Sequence, residues 1–306
     1  MSAIKNLVSE IVDYAGLFPP AKLPIDQVAR NYEEYLGSGQ RWMLARLIIP
    51  ASRLVELEQQ QSFAESGHHW RISSLVPSVD AADHAFETAM KSIDDFNARN
   101  EDTGRALVDT IEIKAGTGEL IASTINQIPA QINAFLEVPH QDDPEHLIAA
   151  IAEGGANIFA KIRTGGVTTD LIPPANQVAR FIACCVKYNV GFKATAGLHH
   201  PVRGNYRLTY ESDPDFGEMF GYLNVFVAAA FAFAGMEEEA LVQILEETDP
   251  SAFVINEDGI VWNDQSVSRQ QIDELRTQKA ISFGSCSFTE PTEELSQLGL
   301  INVEVA

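Results

Sequence analysis

The feature that most constrains this chain is a rhythm: a short apolar run, then a polar stretch of helical period, over and over. The runs are IVDYAG (11–16), ARLIIP (45–50), RISSLVP (71–77), VDTIEIKA (108–115), NAFLEVP (133–139), IFAKIRTGG (158–166), VGFKATAG (190–197) and ISFGSCSF (281–288). Short apolar runs bounded by Gly, Pro or polar residues read as buried strands. The stretches between them, such as IDQVARNYEEYLG and DAADHAFETAMKSIDDFNAR, read as helices, with Ser52 and Asp80 placed to cap and Gly37 to terminate. Alternation of this kind predicts a parallel sheet with crossover helices. Eight units favour an α/β fold of the closed (β/α)8 (TIM) barrel type over an open sheet, and 306 residues suit one such domain spanning 1–306.

One interval breaks the rhythm. Residues 198–279 are too many for a single connection. They read as an inserted helical and hairpin segment between the seventh and eighth strands. Within it lie a loop (201–220), an apolar helix (223–235), an acidic helix (237–247) and a hairpin, AFVINEDGIVWN, turning at Asp258-Gly259. The loop leaves the carboxyl end of the seventh strand, so the insertion either covers a pocket there or serves as an appendage for assembly. The apolar helix suits a core element and a homo-oligomer contact equally well.

Charge inside strands is the informative chemistry. Barrel strands are covered outside by helices and packed inside by side chains, so a buried Lys or Glu is costly unless paired or functional. Glu112 and Lys114, Glu137, Lys161 and Arg163, and Lys193 all sit near strand carboxyl ends, where barrel sites form. Lys161 and Lys193 lie on consecutive strands at matching heights. Two neighbouring ammonium groups disfavour each other's charge, so one amine is expected to lose its proton and become nucleophilic. The alternative is that Glu112 and Glu137 simply pair with both lysines.

Glycines follow several of these strands: Gly165 and Gly166, Gly197, and Gly284 with Ser285. Small residues there let backbone N–H groups approach an anion. Glu137, His140, His199 and His200 form a candidate metal set, although adjacent histidines on extended chain point apart. Cys286 has no base beside it in sequence and reads as packing, as do Cys184 and Cys185.

Lys and Arg number 21 against 43 Asp and Glu, a net charge of −22. This argues against nucleic acid or an anionic membrane as partner, while leaving room for a small anionic substrate in a local basic pocket. Three cysteines, two of them adjacent, suggest reduced thiols. The opening MSAIKNLVSEIVDYAG lacks a basic region followed by an apolar run, so no leader is expected and the cytoplasm is the expected location. No cofactor is expected.

Taken in order, these strands resemble the deoxyribose-phosphate aldolases, class I aldolases on a (β/α)8 barrel. IVDYAGLFPPA resembles that family's first strand, with Asp13 at its acidic position, and ARLIIPASRLVEL its second strand and following helix. FLEVP resembles the strand ending in its glutamate, here Glu137. FAKIRTGG and VGFKATAG resemble its two lysine strands, and SFGSCS its phosphate-binding last strand. The resemblance implies that Lys161 forms an imine, that Lys193 tunes it, and that a fourth-strand aspartate, Asp109, helps move protons. Asp109 stands at opposite parity to Glu112 and Lys114, and a regular strand cannot turn both sets inward; Glu112 and Lys114 are expected inside. The insertion, and Leu198-His199-His200 in place of a small phosphate-binding continuation, depart from the family.

The sequence thus points to a lyase acting through a lysine imine on a small anionic carbonyl compound. Lys161, Lys193, Glu112, Asp109, Asp13 and Glu137 are its catalytic candidates. Arg163, Lys114, Gly165, Gly166, Gly197, His199, His200, Gly284 and Ser285 are its binding candidates. A metal enzyme built on the histidine set, and a non-catalytic barrel for ligand binding or assembly, are the alternatives.

Overall fold

The computed structural model describes residues 2–302. Eight parallel strands close into a barrel. Numbering barrel strands alone, they are β1 (Val12–Tyr14), β2 (Leu44–Pro50), β3 (Trp70–Leu75), β4 (Ala106–Lys114), β5 (Asn133–Glu137), β6 (Ile158–Arg163), β7 (Phe192–Thr195) and β8 (Ala280–Ser285). Each falls within or beside the run expected of it, and each pairs with its neighbours in sequence, β8 closing on β1. The strands end sooner than the apolar runs where small residues turn the chain away, as Thr164-Gly165-Gly166 does after β6.

Helices cover the barrel with amphipathic faces. Ala175–Lys187, for instance, buries Val178, Ala179, Phe181, Ile182, Cys184 and Cys185, so those two cysteines are core residues as expected. Among the described residues no helix is long and apolar enough to cross a membrane.

The segment after β7 is more structured than its sequence suggests. The expected loop contains an antiparallel hairpin, Gly204–Arg207 with Phe216–Met219. Its strands, GNYR and FGEM, lack the alternation that would announce them. The apolar helix spans Tyr222–Phe233 and is buried along almost its whole length. Tyr222 stacks on Phe283 of β8 at 5.1 Å, and helices Ala175–Lys187, Glu238–Glu246 and Arg269–Gln278 pack around it. A helix apolar on every side is one enclosed on every side, so this one needs no second copy to bury it. The expected hairpin is a three-stranded sheet, Val254–Ile255, Gly259–Trp262 and Gln265–Ser268. Its second turn is carried by Asn263, at φ 53°.

Two backbone features position the barrel mouth. Ile72 of β3 pairs with Val108 but the next residue, Ser73, pairs with Thr110, so Asp109 is a bulge in β4. The extra residue resets the alternation. The expectation that Asp109 and Glu112 exclude each other from the interior therefore fails: Asp109 reaches Arg46 on β2, two strands away, and Glu112 reaches the lysines of β6 and β7. At the other end of the strands the turns after β6 and β7 touch. A Cβ on Gly197, where φ is +77°, would lie 2.8 Å from the Gly165 Cα. Thr164 holds the same contact by donating its N–H to the Thr195 carbonyl at 2.9 Å and its hydroxyl to the Ala196 carbonyl at 2.7 Å. Gly197→Ala should lower the free energy of unfolding by about 2 kcal/mol or more, through positive φ and steric overlap together. Chemical denaturation reads this, and an unchanged midpoint would remove the strand-end contact from the account.

Candidate active site

The lysines meet because the strands are in register. Glu137 pairs with Lys161 across β5 and β6, and Lys161 with Lys193 across β6 and β7. Side chains in register on adjacent strands share a face, here the barrel interior. Asp13 enters from β1 and Glu112 from β4. The result is a ladder of alternating charge. Lys193 Nζ donates to Asp13 Oδ2 at 2.5 Å and to Glu112 Oε1 at 2.7 Å. Lys161 Nζ lies 2.7 Å from Glu112 Oε2 and 2.8 Å from Glu137 Oε2. Arg163 Nε stands 3.8 Å from the other Glu137 oxygen.

Further contacts fix each rung. Ser282 Oγ donates to Asp13 Oδ2 at 2.5 Å, and the Arg46 N–H to Asp13 Oδ1 at 3.0 Å. Ser73 Oγ donates to Glu112 Oε1 at 2.8 Å. The Phe135 ring lies beneath Lys193 Nζ, 5.3 Å from its centroid, a favourable cation–π position.

One expectation from the sequence does not hold. Lys193 does not expel a proton from Lys161, because Glu112 stands between them and answers both charges. Burial alone would favour a neutral amine at Lys161, but Glu112 and Glu137 outweigh it and hold its pKa above the ordinary lysine value. Burial would likewise favour neutral acids, yet Lys161 and Lys193 hold Glu112 far below the carboxylate range, and Lys161 and Arg163 lower Glu137. These opposed shifts keep Lys161, Glu112 and Glu137 ionised at rest.

Above the ladder a cavity of about 400 Å³ opens at the C-terminal mouth. Lys161, Glu112 and Glu137 form its floor, and Lys114 and Arg163 flank them. Gly166, Gly197, Gly284, His199 and His200 also line it. Lys193 and Asp13 are buried beneath the floor, 0% and 1% exposed, so of the two ladder lysines Lys161 is the one a substrate would reach. The hairpin after β7 supplies Arg207, Leu208, Thr209 and Tyr210 to the wall, so the insertion helps shape the cavity. Most of the remaining wall is apolar, including Phe18, Ile48, Leu75 and Leu171.

Other candidates lie elsewhere. Asp109 is held by the Arg46 guanidinium at 2.7 and 2.9 Å, nearer the N-terminal end of the strand than Glu112, and does not line the cavity. Gly165 is occupied by its contact with Gly197, and Ser285 Oγ lies 3.3 Å from His199 Nδ1. The four-residue metal set does not converge. His140 pairs with Gln177 at 3.0 Å. His200 is held by Glu294 at 2.8 Å and stacks on Tyr206 at 3.6 Å. Among the described residues the one group at metal spacing is Asp143, Glu145 and Cys184, outside the barrel, and Arg180 and Lys187 already neutralise its carboxylates.

The sequence missed a second cluster on the wall. His199 Nδ1 lies 3.8 Å from Cys286 Sγ and 3.5 Å from Glu290 Oε2, and Tyr210 OH donates to the same Glu290 oxygen at 2.7 Å. Burial works against charge on His199, but Cys286 and Glu290 prevail and raise its pKa to about 9. Cys286, read as packing, lines the cavity. The pattern Ser287-x-x-Glu290, a capping signature, was the available signal that Glu290 begins a helix at the barrel mouth.

No family model matches the chain, and no curated protein matches it.

Breaking a buried pair leaves an uncompensated charge and costs about 3–5 kcal/mol. Glu112→Gln, which touches both lysines, should destabilise the protein by that order at neutral pH. Because the folded-state pKa of Glu112 is depressed, its contribution is present above the unfolded value and lost as pH falls through the folded one. The penalty of the substitution should therefore shrink in strong acid. Urea unfolding at several pH values checks both points, and a penalty independent of pH would contradict them.

Proposed function

We propose that this barrel is an enzyme of the class I lyase type, in which Lys161 forms an imine with a small anionic carbonyl compound. The resemblance of its strands to the deoxyribose-phosphate aldolases accords with this reading. The observation that carries it is Lys161 itself: an amine on the floor of the cavity at the barrel mouth, between two carboxylates, with a second cation behind it.

The chemistry follows from charge. Lys161 passes its proton to Glu137, 2.8 Å away, and the free amine adds to the carbonyl carbon. The nitrogen of the adduct gives a second proton to the former carbonyl oxygen, and protonated Glu137 returns the first to the resulting hydroxyl, which leaves as water as the C=N bond forms. The iminium places positive charge where the ammonium had been, so the carboxylates that hold the resting lysine also stabilise the intermediate. As an electron sink the iminium allows the bond between the α and β carbons to break, while Glu137 takes the β-hydroxyl proton. Lys193 keeps Glu112 ionised throughout and acts as a positioning residue. Arg163, Lys114 and Arg207 line the cavity and would receive the anionic end, and the apolar part of the wall would limit water around it.

Borohydride reduction during incubation with small anionic aldehydes and ketones should leave a reduced adduct on Lys161, located by peptide mass spectrometry. Since the Lys161 pKa is raised, free amine is scarce at neutral pH, and trapping should quicken about tenfold per pH unit below that pKa. Glu137→Gln should move this limb to lower pH. Absence of an adduct across the panel would overturn imine chemistry. A second reading is favoured by the raised pKa: Lys161 stays an ammonium and polarises a substrate carbonyl. Activity surviving in Lys161→Arg, without trapping in the parent protein, would select it.

A further inference from the structure

The residues that line the mouth cavity are sorted by strand. β4, β5 and β6 supply Glu112, Lys114, Glu137, Lys161 and Arg163, every one charged. The other flank belongs to β1 with the turn after it, β2 and β3. These supply Ala15, Phe18, Pro19, Pro20, Ile48 and Leu75, none with a polar side chain. The rest of the wall, from β7, β8 and the segments that follow β6, β7 and β8, mixes both kinds. Ligand cavities are commonly apolar over much of their surface. Here the information lies in the placing: three consecutive strands form one unbroken apolar sector.

That sector faces the candidate amine. Lys161 stands on β6, and in a closed ring of eight strands β2 is four strands from β6 in either direction. Ile48 of β2 therefore lines the cavity from the side opposite Lys161. The charges stay on the lysine's own side. Arg163 follows Lys161 by two residues on β6, about 6–7 Å along the strand. Lys114 pairs in register with Glu137 across β4 and β5. A carbonyl compound held at Lys161 with its anionic end at Arg163 or Lys114 presents its remaining substituent to the sector opposite.

The sector suits only some substituents. A hydroxyl seated there would lose its water and meet no side-chain partner, and Pro19 and Pro20 lack even a backbone N–H. A hydrocarbon group would gain by leaving water. Phe18 and Leu75 are half-buried and keep apolar surface open to such contact.

We propose that the compound this site takes is amphipathic: a small anion whose far substituent is a hydrocarbon chain or ring and not a polyhydroxylated one. The carbonyl in that compound rests on the imine reading. The division of the cavity into a charged side and an apolar side does not.

Calorimetric titration with straight-chain carboxylates from butyrate to octanoate, and with gluconate as the hydroxylated counterpart of hexanoate, tests it. None of these carries an aldehyde or ketone, so none forms an imine. Failure here is thus distinct from the absence of a borohydride adduct on Lys161. Each added methylene should tighten binding about fourfold until the apolar sector is filled, and hexanoate should bind more tightly than gluconate. The double variant Phe18→Ser, Leu75→Ser should flatten the gain per methylene. Arg163→Ala should weaken all chains by one common factor and leave that gain in place. The comparison of hexanoate with gluconate needs no variant and so does not depend on how any substitution folds. Gluconate binding as tightly as hexanoate, or no saturable binding of octanoate, would overturn the proposal. So would a gain per methylene that survives intact in the double variant, which would put the chain against another part of the wall.

Discussion

Everything in the barrel interior depends on one carboxylate holding two ammonium groups. Glu112 gives one oxygen to Lys161 and the other to Lys193, each at 2.7 Å. Without it, two cations on adjacent strands would face each other in a space from which water is excluded, and their repulsion would be felt at low effective dielectric. With it, charges alternate from Asp13 through to Glu137, and each is satisfied by its neighbours. A network of this kind is costly to assemble and equally costly to disturb. Its members therefore keep fixed places, which is what a reactive amine requires of its surroundings.

The same arrangement sets the two lysines apart. Lys193 is wholly buried, with Asp13, Glu112 and the Phe135 ring around it. Lys161 has the same kind of partners but opens to the cavity. In the imine reading proposed above, its nucleophilicity would come not from a depressed pKa but from a carboxylate close enough to take the proton and from an environment already shaped around a cation, the charge an iminium carries. Of the two readings of amines at equal height, repulsion and pairing with Glu112 and Glu137, the geometry matches pairing, with Asp13 rather than Glu137 as the second partner of Lys193.

Much of the fold was legible because strand-forming runs in a closed parallel barrel are bounded by residues that cannot continue them, and all eight runs carry that punctuation. The ladder was half legible. Lys161, Lys193, Glu112 and Glu137 stood out as charges within apolar strands, which sequence alone flags as paired or reactive. Which partner each would take depended on register around the closed barrel, and no local pattern contains that. The position of Asp109 turned on a single bulge residue in β4. The cluster of His199, Tyr210, Cys286 and Glu290 was invisible for a related reason: its members come from the end of β7, the hairpin that follows, the end of β8 and the helix after it, and they meet only once the barrel closes. His140 failed as a ligand because its side chain turns to Gln177 on a neighbouring helix, a choice of direction that a residue's place in the sequence does not reveal.

The protonation state of Lys161 is the most direct test of this account. Heteronuclear NMR can follow the lysine side chains through a pH titration, with Lys161→Met to assign the signal and Glu112→Gln for comparison. The account predicts that Lys161 in the parent protein holds its proton above the ordinary lysine pKa of about 10.4, and that Glu112→Gln releases it at lower pH. A Lys161 that titrates below the ordinary value while Glu112 is present would contradict the alternating ladder on which the interior is built.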